Sequence, residues 1–297
     1  VLFRSNRRSK FQEKAVWVKL THESFPRMVS VRGHRDLRDD EGWCGPFNGR
    51  EEAARAIEAV YEVTQIRQCS PRITLRSMKN ASPCALFDMK RCGAPCVGKE
   101  SVDSYSTHVL TTRLALQQDA NAMIATINER MLHLANQERF EEAAELRNRL
   151  SAFIRGTARG QRIRSLTRVS ELISALPITP NEWEFVLIRN GRLCGSARGN
   201  SASYKEVVES LKLVGEVVID NEQILPASTH EEVEVLLRYL NQEAIRLVEV
   251  SGQWSMPTFG SGYARLKLEK VRESSQSFIY KEDFANSFDR SAQRSKS

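Results

Sequence analysis

The chain has 297 residues, 41% of them hydrophobic, and a formal net charge of +7. That length suits about one to three domains with real cores. No run of roughly eighteen apolar residues offers a membrane span, and VLFRSNRRSKF lacks the apolar stretch of a signal peptide, so a cytoplasmic setting without a membrane partner is expected, one in which the six cysteines stay reduced and speak for metal binding over disulfides.

Residues 1–100 carry 19 Lys and Arg against 12 Asp and Glu, which accounts for the whole charge excess. A basic segment of this kind suits a polyanion such as DNA, with a solvated surface as the ordinary alternative. The runs AVWVKLT and RMVSVR read as strands with a turn at Pro26, and GHRDLRDDEG as a polar loop. WCGPFNG is a short extended piece and a turn. It opens a helix whose apolar stripe is Ala53, Ala54, Ile57, Val60 and Tyr61.

Cys69, Cys84, Cys92 and Cys96 follow, with fourteen, seven and three residues between them. Gly93 and Pro95 favour a tight turn that sets Cys92 and Cys96 on one side. Four thiolates match tetrahedral zinc or an iron–sulfur cluster. A zinc ribbon has two close pairs and this chain has one, which leans toward iron–sulfur. Four buried packing cysteines are the bland alternative, and that is the expected state of Cys44 and Cys194.

Residues 101–170 are nearly free of Gly and Pro and read as long helices. A break near Asn136–Glu138 folds ANAMIATINERMLHLANQ and ERFEEAAELRNRLSAFIRG into an antiparallel hairpin that ends near Gly156. Its apolar seam is Phe140, Leu146 and Leu150, with small Ala143 and Ala144 permitting close approach. Helical spacing continues through ARGQRIRSLTRVSELISAL, with Arg155, Arg159, Arg162, Arg164 and Arg168 clustered there. After Pro177 a hairpin about Asn190-Gly191, the helix SYKEVVESLKL, the strand EVVID, the helix THEEVEVLLRYLNQ and the strand IRLVEV make a small domain. Beyond it hydrophobic periodicity fades and disorder is expected.

The expected fold is therefore multidomain α+β. It comprises a β/α segment (1–68), a four-Cys segment (69–100), a helical region (101–176) with its hairpin at about 124–154, a small αβ domain (181–250) and a disordered tail (257–297).

Two segments resemble known families. WCGPFNGREEAARAIEAVYEVTQIRQC, with its Gly-Pro-aromatic turn and closing Arg-x-Cys, and PCALFDMKRCGAPCVG after it resemble UvrC-type excision-repair nucleases. That resemblance implies an iron–sulfur cluster on Cys69, Cys84, Cys92 and Cys96. NERMLHLANQERFEEAAELRNRLSAF resembles the UVR motif of UvrC and UvrB proteins, which implies docking to a UvrB-like partner through Phe140, Glu141, Ala143, Ala144, Leu146, Arg147 and Leu150. The family's GIY-YIG catalytic core, with its paired tyrosines and divalent metal, would precede this segment, yet the first tyrosine is Tyr61. The chain thus looks like the non-catalytic C-terminal part of such a nuclease, with Asn6 matching an asparagine near the end of the core. The segments after Pro177 are similar to the C-terminal part of bacterial, actinobacterial-type fusions of a DEDDh 3′–5′ exonuclease to a UvrC- or Cho-like half. The alternative from another class is a metal-plus-UVR adaptor of a Clp-type protease system, which is expected to use close Cys-x-x-Cys pairs that this chain lacks.

Overall fold

The computed structural model describes residues 15–33, 42–79, 81–218, 228–258 and 260–266. It is mixed α+β, with two antiparallel sheets joined by one long helix. Among the described residues no helix is long and apolar enough to cross a membrane.

The first sheet has the order β2-β1-β3. β1 (Val16–Leu20) pairs with β2 (Met28–Arg32) from Val16 opposite Arg32 to Leu20 opposite Met28, and β3 (Cys44–Phe47) lies on its other side. Alternate β1 side chains serve different cores, as the period of two in a strand dictates. Val16, Val18 and Leu20 enter one core, and Trp17 enters another.

α1 (Arg50–Val63) follows, and its buried face is Ala53, Ala56, Ala59 and Val60. The stripe read from sequence is therefore corrected: Ala54 is exposed, Ile57 and Tyr61 lie half-buried at the margin, and Ala56 and Ala59 face inward. Three alanines on that face let α1 lie along α6. The short helices α2 (Leu75–Met78) and α3 (Ala85–Asp88) and a 3-10 turn at Pro95–Val97 carry the cysteine segment. α4 (Val102–Gln117), α5 (Asn121–Asn136) and α6 (Phe140–Thr167) complete the helical region.

α6 does not end near Gly156. It runs on, placing Leu146, Leu150 and Phe153 in the first core and Ile163 and Leu166 in the second. Its glycines are contact points and not stops. A Cβ on Gly156 would overlap the Phe47 ring, and one on Gly160 would lie 2.9 Å from the Gly45 carbonyl oxygen. The helical spacing read through SELISAL is also overturned. β4 (Glu171–Thr179) is a strand, paired with β5 (Glu182–Arg189) on one side and β7 (Arg246–Ser251) on the other. β6 (Arg192–Gly199) completes the order β6-β5-β4-β7. β5 and β6 turn at Asn190 and Gly191, both with positive φ, as the Asn-Gly pair predicts. α7 (Tyr204–Val214) packs against one face of this sheet through Val208 and Leu211. α8 (His230–Leu240) and the end of α6 cover the other. Of EVVID, residues 216–218 are not strand, although the Glu216 amide donates to the Cys194 carbonyl at 2.8 Å; its remainder lies outside the described residues. The disordered tail expected from residue 257 is corrected at its start, since residues 261–266 are helical and Ser261 is buried, its amide donating to Gln161 Oε1 at 2.9 Å. Residues 267–297 lie outside the described residues.

Gly156→Ala sets two effects against each other. Replacing a mid-helix glycine gains about 1 kcal/mol of helix propensity, and overpacking against Phe47 costs about 1–3 kcal/mol. Net destabilisation is expected in urea unfolding, and a raised midpoint would show that the ring yields freely.

Candidate metal centre and partner-binding hairpin

The cysteine segment has few apolar residues, so turns and caps shape it. Cys84 stands at the N-cap of α3. Lys90 and Ala94 adopt positive φ, a conformation that non-glycine residues hold only where their surroundings demand it. Pro95 opens the 3-10 turn that carries Cys96. The Glu100 carboxylate lies against Gly93, so a side chain at position 93 would displace it.

These devices bring Cys69, Cys84, Cys92 and Cys96 to the wall of one cavity of about 20 Å³, which Arg67 and Phe87 also line. All four are free thiols. Burial, and then proximity to the other cysteines, raises Cys92 and Cys96 above the usual thiol range, and a backbone hydrogen bond with Ala94 partly opposes the rise at Cys92. Among the described residues no three His, Cys, Asp or Glu side chains are drawn together closely enough to hold a single ion. The donor set fits a four-thiolate centre in kind and in number. Cys44 and Cys194 are buried elsewhere, and burial raises Cys44 to about 12.

One residue of this site escaped sequence reasoning. Arg67 is completely buried. Its guanidinium donates to the carbonyls of Phe25 at 2.7 Å, Cys69 at 2.7 Å and Pro71 at 2.9 Å, reaches Cys69 Sγ at 3.4 Å and pairs with Glu23 at 2.8 Å. Its amide donates to the Tyr105 hydroxyl, which in turn donates to the Pro26 carbonyl. Arg67 thereby fixes the Cys69 segment to the β1–β2 turn and to α4. The signal was present as the Arg of Arg-x-Cys, two residues before a candidate ligand. Glu62, nearly buried, accepts from Arg91 in the cysteine segment at 3.1 Å, from Arg149 on α6 at 2.9 Å and from Arg130 on α5, and so joins the cysteine segment to the hairpin.

The hairpin turns at 137–139, where the break was expected. Leu146 and Leu150 are buried with Met123, Ile127 and Leu134 in the chain's own first core. Phe140 is not part of that seam. It is 64% exposed, as is Leu132 at 67%, so the apolar tip faces outward. Glu141 and Arg147 are exposed, and Ala143 and Ala144 half-buried. Asn6 lies outside the described residues. Glu100 is buried and pairs with His108 at 3.1 Å, while Asp88 and Asp103 are exposed; no carboxylate site assembles from them.

Residues 15–115 match the UvrC/Cho excinuclease middle domain, and residues 121–153 match the UvrB/uvrC motif. The chain is therefore related to the UvrC/Cho excinucleases, carrying their middle domain followed by a UVR motif. Among individual relatives, a Mycobacterium tuberculosis protein named as a bifunctional exonuclease/endonuclease is 31% identical over 249 residues, 83% of this chain and 38% of that one. UvrABC system protein C of Nitrosomonas europaea is 29% identical over 180 residues, 59% of this chain and 29% of the relative. That of Syntrophus aciditrophicus is 28% identical over 253 residues, 84% of this chain and 38% of the relative. The chain thus spans well under half the length of these relatives. No solved structure matches it significantly.

Arg67→Met removes one partner of a buried pair and strands Glu23 and three carbonyls, so a loss of about 3–5 kcal/mol is expected in chemical denaturation. Arg67→Lys keeps the charge without the fork and is expected to fall between. A loss under about 1 kcal/mol for Arg67→Met would show that the clamp is dispensable.

Proposed function

We propose that this chain belongs to a DNA-repair nuclease of the UvrC/Cho type that works in the cytoplasm, and that this stretch of it is a non-catalytic scaffold. In this reading it holds an iron–sulfur cluster on Cys69, Cys84, Cys92 and Cys96, lies along DNA, and docks a UvrB-like partner through the UVR hairpin. The observation that carries the reading is the convergence of four cysteines, spread over residues 69–96, on one cavity inside a middle domain that a UVR motif directly follows. A bound cluster would supply a covalent tie between Cys69 and the 84–96 segment. The chain's own residues do the rest: Arg67 holds the Cys69 backbone, and the Ala94 turn offers a hydrogen bond to Cys92. Around the cysteines Arg72, Arg76, Lys79, Lys90 and Lys99 are exposed, which supports phosphate contact. At the hairpin tip, exposed Phe140 and Leu132 give a partner an apolar anchor.

Anaerobic purification with iron, sulfide and zinc analysis tests the centre. About four irons and four sulfides per chain are expected, with both lost in Cys92→Ser or Cys96→Ser. Zinc alone would favour the adaptor reading, and no metal would return the thiols to packing.

The hairpin is tested by separating docking from stability. Phe140→Ala is expected to leave unfolding unchanged and to weaken UvrB capture by more than about 1 kcal/mol. Leu146→Ala is expected to cost about 2–5 kcal/mol of stability. Unaltered capture by Phe140→Ala would remove the tip from the interface.

A further inference from the structure

α6 and its C-cap carry five arginines between residues 155 and 168 that the reading above leaves unused. Three of them, Arg155, Arg159 and Arg162, recur at i, i+4 and i+7 and so share one helix face. That face looks into a groove of about 360 Å³ where β3, α6 and α8 meet. Pro46, Gly156, Ile163 and Leu237 form its apolar floor, while Arg238 from α8 and Arg265 from the 261–266 helix join its rim.

Two carboxylates enter the groove, and both are taken. Glu52 pairs with Arg155 at 2.8 Å, and Glu234 pairs with Arg159 through Nε and Nη2. Arg159 Nη1 also donates to the Pro46 carbonyl at 3.0 Å. Among the described residues, Arg162 and Arg238 make no side-chain hydrogen bond or ion pair. With Arg155 and Arg159 paired, Arg162 and Arg238 leave the groove with an excess of positive charge, and an apolar floor strengthens its field.

We infer that this groove binds the phosphodiester backbone of a nucleic acid, a second contact apart from the cysteine segment; the inference rests on the DNA-binding part of the reading above. Planar guanidinium forks match phosphate oxygens in pairs. Arg155 to Arg162 covers about 10.5 Å of helix axis, close to the rise of three stacked nucleotides at about 3.4 Å each. The Gly45-Pro46-Phe47 segment holds the site open. Phe47 and Gly45 seat α6 at its two glycines, and Pro46 fixes Arg159.

The test uses the whole chain, a short fluorescein-labelled duplex of random sequence and its single strand, with affinity measured across a salt series. Arg162→Gln with Arg238→Gln is expected to lower the slope of log affinity against log salt by about 1.8 on duplex or about 1.4 on single strand, at about 0.9 or 0.7 per phosphate contact. The matching Lys pair is expected to keep the slope, and unchanged melting temperatures would show that neither variant perturbs the fold. A Gln pair that binds like the parent, while Arg72→Gln with Arg76→Gln loses affinity, would overturn the groove and leave DNA binding by the cysteine segment standing. No binding of either nucleic acid by the parent chain would overturn both. Binding of polyglutamate, lost in the Gln pair, without binding of nucleic acid would assign the groove to an acidic protein segment instead.

Discussion

The close approach of α6 to β3 sets the positions of everything else. Two glycines one helical turn apart lie against Phe47 and Gly45, and no side chain fits between. Arg159 and Arg164 add hydrogen bonds from the same helix to the carbonyls of Pro46 and Trp43, each at 3.0 Å. With α6 seated there, α1 lies along it through an alanine face, α5 folds back beside it, and its far end reaches the second sheet. A bulkier residue at either glycine would push the helix off the first sheet and disturb both cores together.

The cysteine segment obeys a different economy. It buries little apolar surface of its own, so order comes from hydrogen bonds and charge. Arg67 contributes most of it by serving three carbonyls and a carboxylate from one buried guanidinium. Its charge is committed to Glu23. Cys92 and Cys96 rise first through burial, and at Cys96 the charge of Arg67 opposes that rise.

Much of this was legible in the sequence. The Asn190-Gly191 hairpin, the break before Phe140 and the inward packing of Cys44 and Cys194 all follow from local chemistry. The four cysteines were found by type and spacing, and the structure gathers them on one cavity. The failures share a cause in tertiary contact. Gly156 looked like a helix stop because the ring filling its missing side chain lies more than a hundred residues away in sequence. SELISAL has helical spacing, yet β5 and β7 pair with it on both edges and draw it into a strand. Phe140 fits the seam by spacing but sits at the first turn of α6, beyond the reach of the core. Arg67 could not be ranked above the other arginines, because its partners lie far off in sequence, Glu23 and Phe25 in the β1–β2 connection and Tyr105 on α4.

The UVR match ends at residue 153, but the helix that carries it does not. Phe153 is fully buried, and α6 continues unbroken to Thr167 through the glycine contacts and into the second core. The unit recognised across proteins is here the first half of a single structural beam. The matched unit and the buried helix that carries the packing are cut along different lines. Severed at that boundary, the hairpin would lose its seat on β3, because Gly156 and Gly160 would stay with the half of α6 that packs on the C-terminal sheet.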